Sequence, residues 1–373
     1  MKPFRLAILQ LDLFQMSPFA RHVQNLANEI GPEFQLDLLI VNEQGMDQVP
    51  EGVNVTLLGA KASRLSKHLP AHYRAIPGLI RYLRTADVDV VLARGLSFAV
   101  PLVMASRLSR SQIPLLMSLH AALAHERENR SHRLAFAYGP LYRFVEKHVA
   151  GVIPVSQGVS DSYSRLARRP DHMTVVPNPV YSEKIDAMAE DAVEHPWFQE
   201  NRPCITALTV GRLAPEKDQK LQIEAIKILR AKGVDIRLVV IGDGSLKFQL
   251  QDLACRLGVN EYVQFLGRKE NPFPYMLRCD AFLLSSQYEG LPGVLIQALA
   301  LGCRIISTDC VAGPREILDG ERLGSLVPVG DVHKFAEAVE RSLSAARPAY
   351  LKQASRAYSA KRFIKTLKDL SDH

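Results

Sequence analysis

The sequence predicts an α/β protein made of two Rossmann-like, doubly wound domains that face a central cleft. Three observations predict it: a length of 373 residues, short β-branched-rich apolar runs that alternate with longer helical stretches, and the lack of strict apolar–polar alternation within those runs. At roughly 100–200 residues per domain, the length favours two domains. Runs of four to seven apolar residues are what a parallel sheet covered on both faces requires. Right-handed crossovers between such strands then build an open sheet with helices on each side.

In chain order the first set of runs covers residues 5–11, 36–41, 53–58, 88–93, 113–119, 152–155 and 174–176. The second covers 205–210, 236–241, 263–266, 281–284, 304–307 and 326–329. So many strands exceed one twisted sheet, which sets the domains at 1–180 and 181–345. Pro177-Asn178-Pro179 closes the first set. Residues 346–373 lose the strand pattern and read as a basic helical tail packing back on the first domain.

Composition narrows the class. With 47% hydrophobic residues the chain is not disordered. No uncharged stretch reaches the length of about 18 residues that a membrane-spanning helix needs. Lys2 and Arg5 before an apolar run imitate a secretion signal, but Gln10 and Asp12 interrupt it, so the start reads as a first buried strand. The cysteines, Cys204, Cys255, Cys279, Cys303 and Cys310, are odd in number and form no C-x-x-C pair. A disulfide framework or zinc site is therefore not expected; small buried apolar thiols in a reducing cytoplasm are.

The net charge is +7, and the excess sits in the first half, where 20 Lys/Arg face 14 Asp/Glu in residues 1–180. Lys61, Arg64, Lys67, Arg74, Arg81 and Arg84 occur there with no acidic residue between them, interleaved with Leu65, Leu69, Leu79 and Leu83. Such a segment suits an anionic membrane surface or a phosphorylated acceptor; the plain alternative is a solvated helix face. No zinc-finger, RRM, KH or helix-turn-helix signature accompanies the charge, so nucleic acid is not an expected partner.

The residues that carry chemistry fall at the carboxyl ends of strands, where ligands of doubly wound sheets bind. Gly211 and Arg212 follow one strand, with Lys217 nearby. Gly211 permits a tight turn, and a planar guanidinium with a compact ammonium suits a diphosphate. Exposed loop cations in solvent are the alternative. A second run, Ser285 to Gly302, reads as strand, Gly/Pro loop with Glu289 at its apex, and apolar helix from Gly293. That helix start offers unpaired N–H groups to an anion beside Glu289. Gln297, one turn in, leans back toward the same end. Glu289 is placed to bind sugar hydroxyls or to stabilise developing positive charge, or else it is merely a helix-start acid. A third run, Thr308 to Leu318, again gives strand, Gly-Pro turn and helix.

Together with Gly242-Asp243-Gly244 and Phe265-Leu266-Gly267, these runs resemble the donor domain of retaining GT-B glycosyltransferases, family 4. The resemblance extends through Val155-Ser156 and Val176-Pro177-Asn178-Pro179 in the first domain. It implies a nucleotide-diphosphate sugar, with UDP-sugar as the expected donor. Arg212 and Lys217 would hold the diphosphate. Glu289, Gly290, Leu291, Gly293 and Val294 would surround the sugar, Gly267 and Arg268 the base, and Gln297 the ribose. Similar enzymes retain anomeric configuration and use no metal; the departing phosphate helps to accept the incoming hydroxyl's proton. The protein's task is then to stabilise charge growing on the diphosphate.

Two departures from the family pattern stand out. The E-x7-E motif reads Glu289-x7-Gln297, and the first strand–helix loop, Gln15 to Phe19, lacks the family's paired glycines. In the first domain Arg94 and His120 follow strands and can face the acceptor, as can Ser17. His120 stands where similar enzymes place a polar group near the reacting sugar; a structural histidine is the alternative. Asp87-Val88-Asp89 imitates a metal-binding D-x-D but precedes its strand. His125-Glu126-Arg127-Glu128-Asn129 lacks the second histidine of H-E-x-x-H.

The expected activity is retaining transfer of a hexose or N-acetylhexosamine to a lipid-linked surface glycan, in lipopolysaccharide, capsule or exopolysaccharide synthesis. The expected location is the cytoplasm, peripheral to the inner face of its membrane. A GT-B-like phosphorylase, a sugar-nucleotide epimerase and a non-catalytic binding protein are the rivals.

Overall fold

The structure is a computed structural model that describes residues 2–11, 18–42, 49–59, 70–121, 135–164, 172–202, 204–345 and 350–371. The chain divides into two compact units, residues 1–180 with 359–373, and residues 181–358.

The first unit holds a six-stranded parallel sheet of β1 (Phe4–Gln10), β2 (Phe34–Ile40), β3 (Asn54–Leu57), β4 (Val90–Arg94), β5 (Leu115–Leu119) and β6 (Gly151–Pro154), in the order β3-β2-β1-β4-β5-β6. The second repeats the plan with β7 (Ile205–Val210), β8 (Ile236–Ile241), β9 (Val263–Gly267), β10 (Ala281–Leu284), β11 (Ile305–Thr308) and β12 (Ser325–Val327), ordered β12-β11-β10-β7-β8-β9. Each chain path runs outward from the sheet's first strand and then returns across it. The winding therefore reverses between β1 and β4 in one unit and between β7 and β10 in the other, and such a reversal opens a crevice at the carboxyl ends of the strands.

The helices that matter below are α1 (Pro18–Ala27), α2 (Ile76–Thr85), α3 (Leu96–Ser109), α4 (Gln219–Ala231), α5 (Gly293–Ala300) and α6 (Ala360–Ser371). Helical spacing explains the packing of two of them. Phe19, Val23 and Leu26 of α1 and Ala360, Phe363 and Leu367 of α6 each form one apolar stripe, and both stripes enter the first unit's core with Leu6, Ile8 and Leu36. The stretch after residue 345 is thus divided: residues 350–358 belong to the second unit and α6 to the first. The second unit's core gathers Leu221, Ile226, Leu238, Val240, Leu283 and Phe335.

Several local expectations need correction. Residues 174–176 are not a seventh strand. They run beside β6, Thr174 N donating to Val152 O at 3.1 Å and Val176 N to Pro154 O at 2.9 Å, but Pro177 and Pro179 supply no further N–H groups. Cys255 is exposed, whereas the other four thiols are buried. In α2 the apolar residues Leu79 and Leu83 are buried within the protein, leaving Arg81 and Arg84 exposed; residues 61–69 of that basic segment lie outside the described residues. Asp87 pairs with Lys2 and Arg5, and Asp89 accepts from Arg5 N at 2.7 Å, so both acids tie the β1 and β4 starts together. No helix among the described residues is long and apolar enough to cross a membrane.

Candidate active site

In the second unit every motif residue lies at the carboxyl end of a strand, and because the strands are parallel these ends share one edge of the sheet. Gly211, Arg212 and Lys217 follow β7, Gly242 follows β8, Arg268 follows β9, Glu289 follows β10 and Asp309 follows β11. The reversal between β7 and β10 brings the two most informative loops together. Lys217 Nζ lies 2.5 Å from Glu289 Oε1. The side chains are only 22% and 10% exposed, so solvent screens this pair little.

Two serines at the end of β10 support the pair. Ser286 Oγ donates to Glu289 Oε1 at 2.7 Å, and Ser285 Oγ donates to the Lys217 carbonyl at 2.7 Å. Beneath them buried Gln222, on α4, donates to Ser285 Oγ at 2.9 Å and Thr209 Oγ1 at 3.2 Å. Thr308 Oγ1 donates to Ser286 O at 2.6 Å, which fixes β11 to the same turn. Cys310 is buried nearby; burial first, and then the Glu289 charge, push its thiol up to about 12. It is an inert neighbour.

Arg212 is placed differently. Its side chain is 71% exposed and pairs with Glu216, while its carbonyl accepts from Gln219 Nε2 at 2.9 Å. Glu216 in turn joins the two loops, its carbonyl accepting from Gln287 N at 2.8 Å. Thus Arg212 lies on the same loop assembly as Lys217, but its charge is turned to a neighbour.

The glycine requirement falls elsewhere than expected. Gly211 is not at a positive φ, and a Cβ there would meet open space. Gly242, at φ +147°, is the constrained position: its Cβ would lie 1.8 Å from Gly211 O. The loop after β8 therefore presses on the loop after β7, and Gly242 N also donates to Gly267 O at 2.9 Å. Gly313, at φ +93°, plays the same part on the other side, since a Cβ there would lie 2.3 Å from Pro292 Cδ. Arg315 holds Asp309 in a two-pronged pair at the base of that loop.

α5 starts at Gly293 behind Pro292, with no side-chain cap on its first N–H groups. Leu291, Gly293 and Val294 at this start are partly buried, and Gln297 is buried further along. Arg268 is exposed beyond the edge strand β9.

The first unit has its own cluster at the corresponding sheet edge. Arg94 ends β4 and His120 follows β5. Arg94 Nε donates to His120 Nε2 at 3.2 Å, and Arg94 Nη2 and Asn178 Nδ2 each lie 3.4 Å from His120 Nδ1. Ser118 Oγ is 2.7 Å from Nε2. Ser118 Oγ can accept from Nε2, but a proton on Nδ1 would face only the N–H donors of Arg94 and Asn178. Burial, then Arg94 and His22, hold His120 well below the ordinary imidazole value. Burial brings Arg94 itself down to about 9, and burial with Arg94 brings His22 to about 3. The Phe19 ring lies under the guanidinium, 4.3 Å from centroid to Cζ. Ser17 and the H-E-x-x-N run lie outside the described residues.

Sequence reasoning missed His22, Phe19 and Ser286, and gave Gly242 only as part of a run that carries the family resemblance. For the first two a signal existed: Phe19 and His22 are one turn apart on a helix that follows the first strand.

The model of the Glycosyl transferases group 1 family matches residues 196–361, and that of the Glycosyl transferase 4-like domain matches residues 19–179. Covered by the two models together, this chain belongs to the glycosyl transferases of group 1, with a 4-like first domain. The motif-bearing edge of the second unit lies within the first match and the Arg94–His120 cluster within the second. Among curated relatives, an uncharacterized glycosyltransferase of Methanocaldococcus jannaschii is 35% identical over 144 residues, 39% of this chain and 36% of the relative. The N-acetylgalactosamine-N,N'-diacetylbacillosaminyl-diphospho-undecaprenol 4-alpha-N-acetylgalactosaminyltransferase of Campylobacter jejuni is 31% identical over 52% of this chain and 50% of its own length. The matches thus span half or less of these two relatives. The lipopolysaccharide 1,6-galactosyltransferase of Escherichia coli is 23% identical over 75% of this chain and 71% of its own. Among solved structures, Anabaena HepE in complex with UDP superimposes with a TM-score of 0.75 at 18% identity, covering 100% of both chains. The lipopolysaccharide outer core galactosyltransferase WaaB gives 0.72 at 17%, covering 98% of this chain and 99% of its own. At these identities the structures establish the shared GT-B fold.

Proposed function

We propose that this protein transfers a hexose or N-acetylhexosamine from a nucleotide-diphosphate sugar, with UDP as the nucleotide, to a lipid-linked glycan in surface-polysaccharide synthesis. The observation that carries this reading is the Lys217–Glu289 pair, shielded from solvent and buttressed by Ser286 at the winding reversal of the second sheet. The lysine offers a point charge to a diphosphate, and Glu289 Oε2 remains to accept from sugar hydroxyls. Arg212 adds a second cation once it leaves Glu216, and the uncapped start of α5 adds aligned N–H groups. Gln297 takes the ribose and Arg268 borders the base. Open space over Gly211 leaves the backbone accessible to the phosphates.

Transfer proceeds with retention and without metal. The bond from the anomeric carbon to the diphosphate oxygen breaks, the acceptor hydroxyl attacks from the same face, and its proton goes to the departing phosphate. Preorganised cations and N–H groups stabilise the charge on that phosphate. His120, neutral, contributes a hydrogen bond to the reacting sugar, and Arg94 and Ser17 face the acceptor. Curated relatives named as lipopolysaccharide and undecaprenol-diphosphate glycosyltransferases support the acceptor class. The excess positive charge of the first half, with Arg81 and Arg84 exposed, favours a site of action on an anionic cytoplasmic membrane face.

A thermal-shift screen with UDP-, GDP- and ADP-sugars tests the donor, because a ligand bound only by the folded state raises apparent stability. Stabilisation by none of them rejects the reading. The anomeric proton coupling in the product's NMR spectrum tests retention.

A further inference from the structure

Arg94 carries a positive charge for which the described residues hold no carboxylate partner. Its hydrogen bonds go to the His120 ring, and its flat face covers Phe19. A guanidinium has five N–H donors, and His120 engages only Nε and Nη2. The other described polar groups around it are neutral. Ser118 and Asn178 carry no charge, and burial with the Arg94 charge itself keeps both His22 and His120 unprotonated. A cation withdrawn from water among neutral groups is costly unless an anion completes it.

Size limits what enters. His22, Arg94, Ser118, His120 and Asn178 form the polar side of a cavity of about 20 Å³ whose remaining lining is apolar, Phe19 and Leu26 among it, and this is space for about one oxygen-sized group. A whole sugar ring does not fit, whereas a single oxygen does, and the Arg94 charge favours an oxygen that is anionic.

We infer that Arg94, with His22, His120 and Asn178 around it, is a binding site for an oxyanion carried by the acceptor, so that the protein selects acceptors bearing a phosphate or carboxylate near the glycosylated sugar. The source of the anion rests on the reading of this edge as acceptor-facing; the binding of an oxyanion does not.

The test is an NMR titration of the full chain with ¹⁵N-labelled arginine. The Arg94 Nε–H signal is assigned by its loss in Arg94→Lys and Arg94→Gln, two variants that differ in retained charge. Inorganic phosphate and acetate are added separately, with N-acetylglucosamine as the uncharged control. The expected result is saturable movement of that signal by an oxyanion and none by N-acetylglucosamine, retained in Lys217→Ala. Stronger binding of phosphate assigns a phosphorylated acceptor, and equal or stronger binding of acetate a carboxylated one. No movement up to 50-fold molar excesses that saturate other arginine signals overturns the inference, as does movement lost in Lys217→Ala. Donor binding in the thermal-shift screen is read independently, so failure here and failure of the proposed activity are distinct results.

Discussion

Lys217 Nζ and Glu289 Oε1 lie 2.5 Å apart although 72 residues separate them in the sequence. This closeness follows from topology: β7 and β10 are neighbours, and the chain reverses its winding between them. Lys217→Ala should weaken donor affinity by roughly 10- to 100-fold, the worth of one charge-assisted hydrogen bond. Glu289→Ala should lower kcat by about 100-fold or more, as loss of a preorganised polar group at the reacting centre does. Calorimetric donor titration and initial rates check both, and wild-type values in either variant remove that residue from the site.

Arg212→Ala should cost less than Lys217→Ala. Its side chain is exposed and already paired with Glu216, and exposed pairs are worth about 0–1 kcal/mol. Donor titration at low and high salt measures this, with the greater salt sensitivity expected for Arg212.

Ser286→Ala removes one of the two groups that hold Glu289 Oε1. A loss of about 1 kcal/mol in transition-state stabilisation is expected, close to fivefold in kcat. Ser286→Thr keeps the hydroxyl and should restore most of it. Equal losses in both variants would point to packing instead.

Gly242→Ala and Gly211→Ala should separate folding from function. The first drives a methyl into Gly211 O at a φ that side chains rarely adopt, and a loss of at least 2 kcal/mol in stability is expected. The second places its methyl in open space, so the melting temperature should hold while donor affinity falls. Melting curves and donor titrations of the two proteins decide it.

Acid should destabilise the first unit. His22 titrates near 3 in the folded protein, against an ordinary 6.5, so between those values the unfolded chain binds the extra proton. Its contribution to stability is complete above pH 6.5, declines by about 1.4 kcal/mol per pH unit as pH falls, and levels off near 3. His120 adds a decline of the same sign. His22→Gln should flatten the fall of melting temperature between pH 6.5 and 4; an unchanged slope contradicts the assignment.

Much of this was legible because parallel strands buried on both faces advertise themselves as apolar runs, and because doubly wound sheets bind at one end. Those two facts placed Lys217 and Glu289 on strand-end loops before any geometry was known. The pairing of Lys217 with Glu289 was not legible, since only the strand order brings β7 beside β10. Phe19 and His22 escaped for the same reason: they reach Arg94 because β1 and β4 are adjacent. The constraint at Gly242 is not legible in sequence, because a glycine's role depends on what its missing side chain would strike. The extended stretch at 174–176 looked like a strand because its hydrogen bonds are strand-like until the prolines end them.

α6 supplies Ala360, Phe363 and Leu367 to a core whose other walls come from the first 180 residues. During synthesis the ribosome must therefore release the whole intervening unit before the earlier one can close. A nascent chain halted at any point before residue 360 would carry an open apolar seam, and shortening the finished polypeptide there would leave a lobe prone to aggregate while its neighbour stays sound.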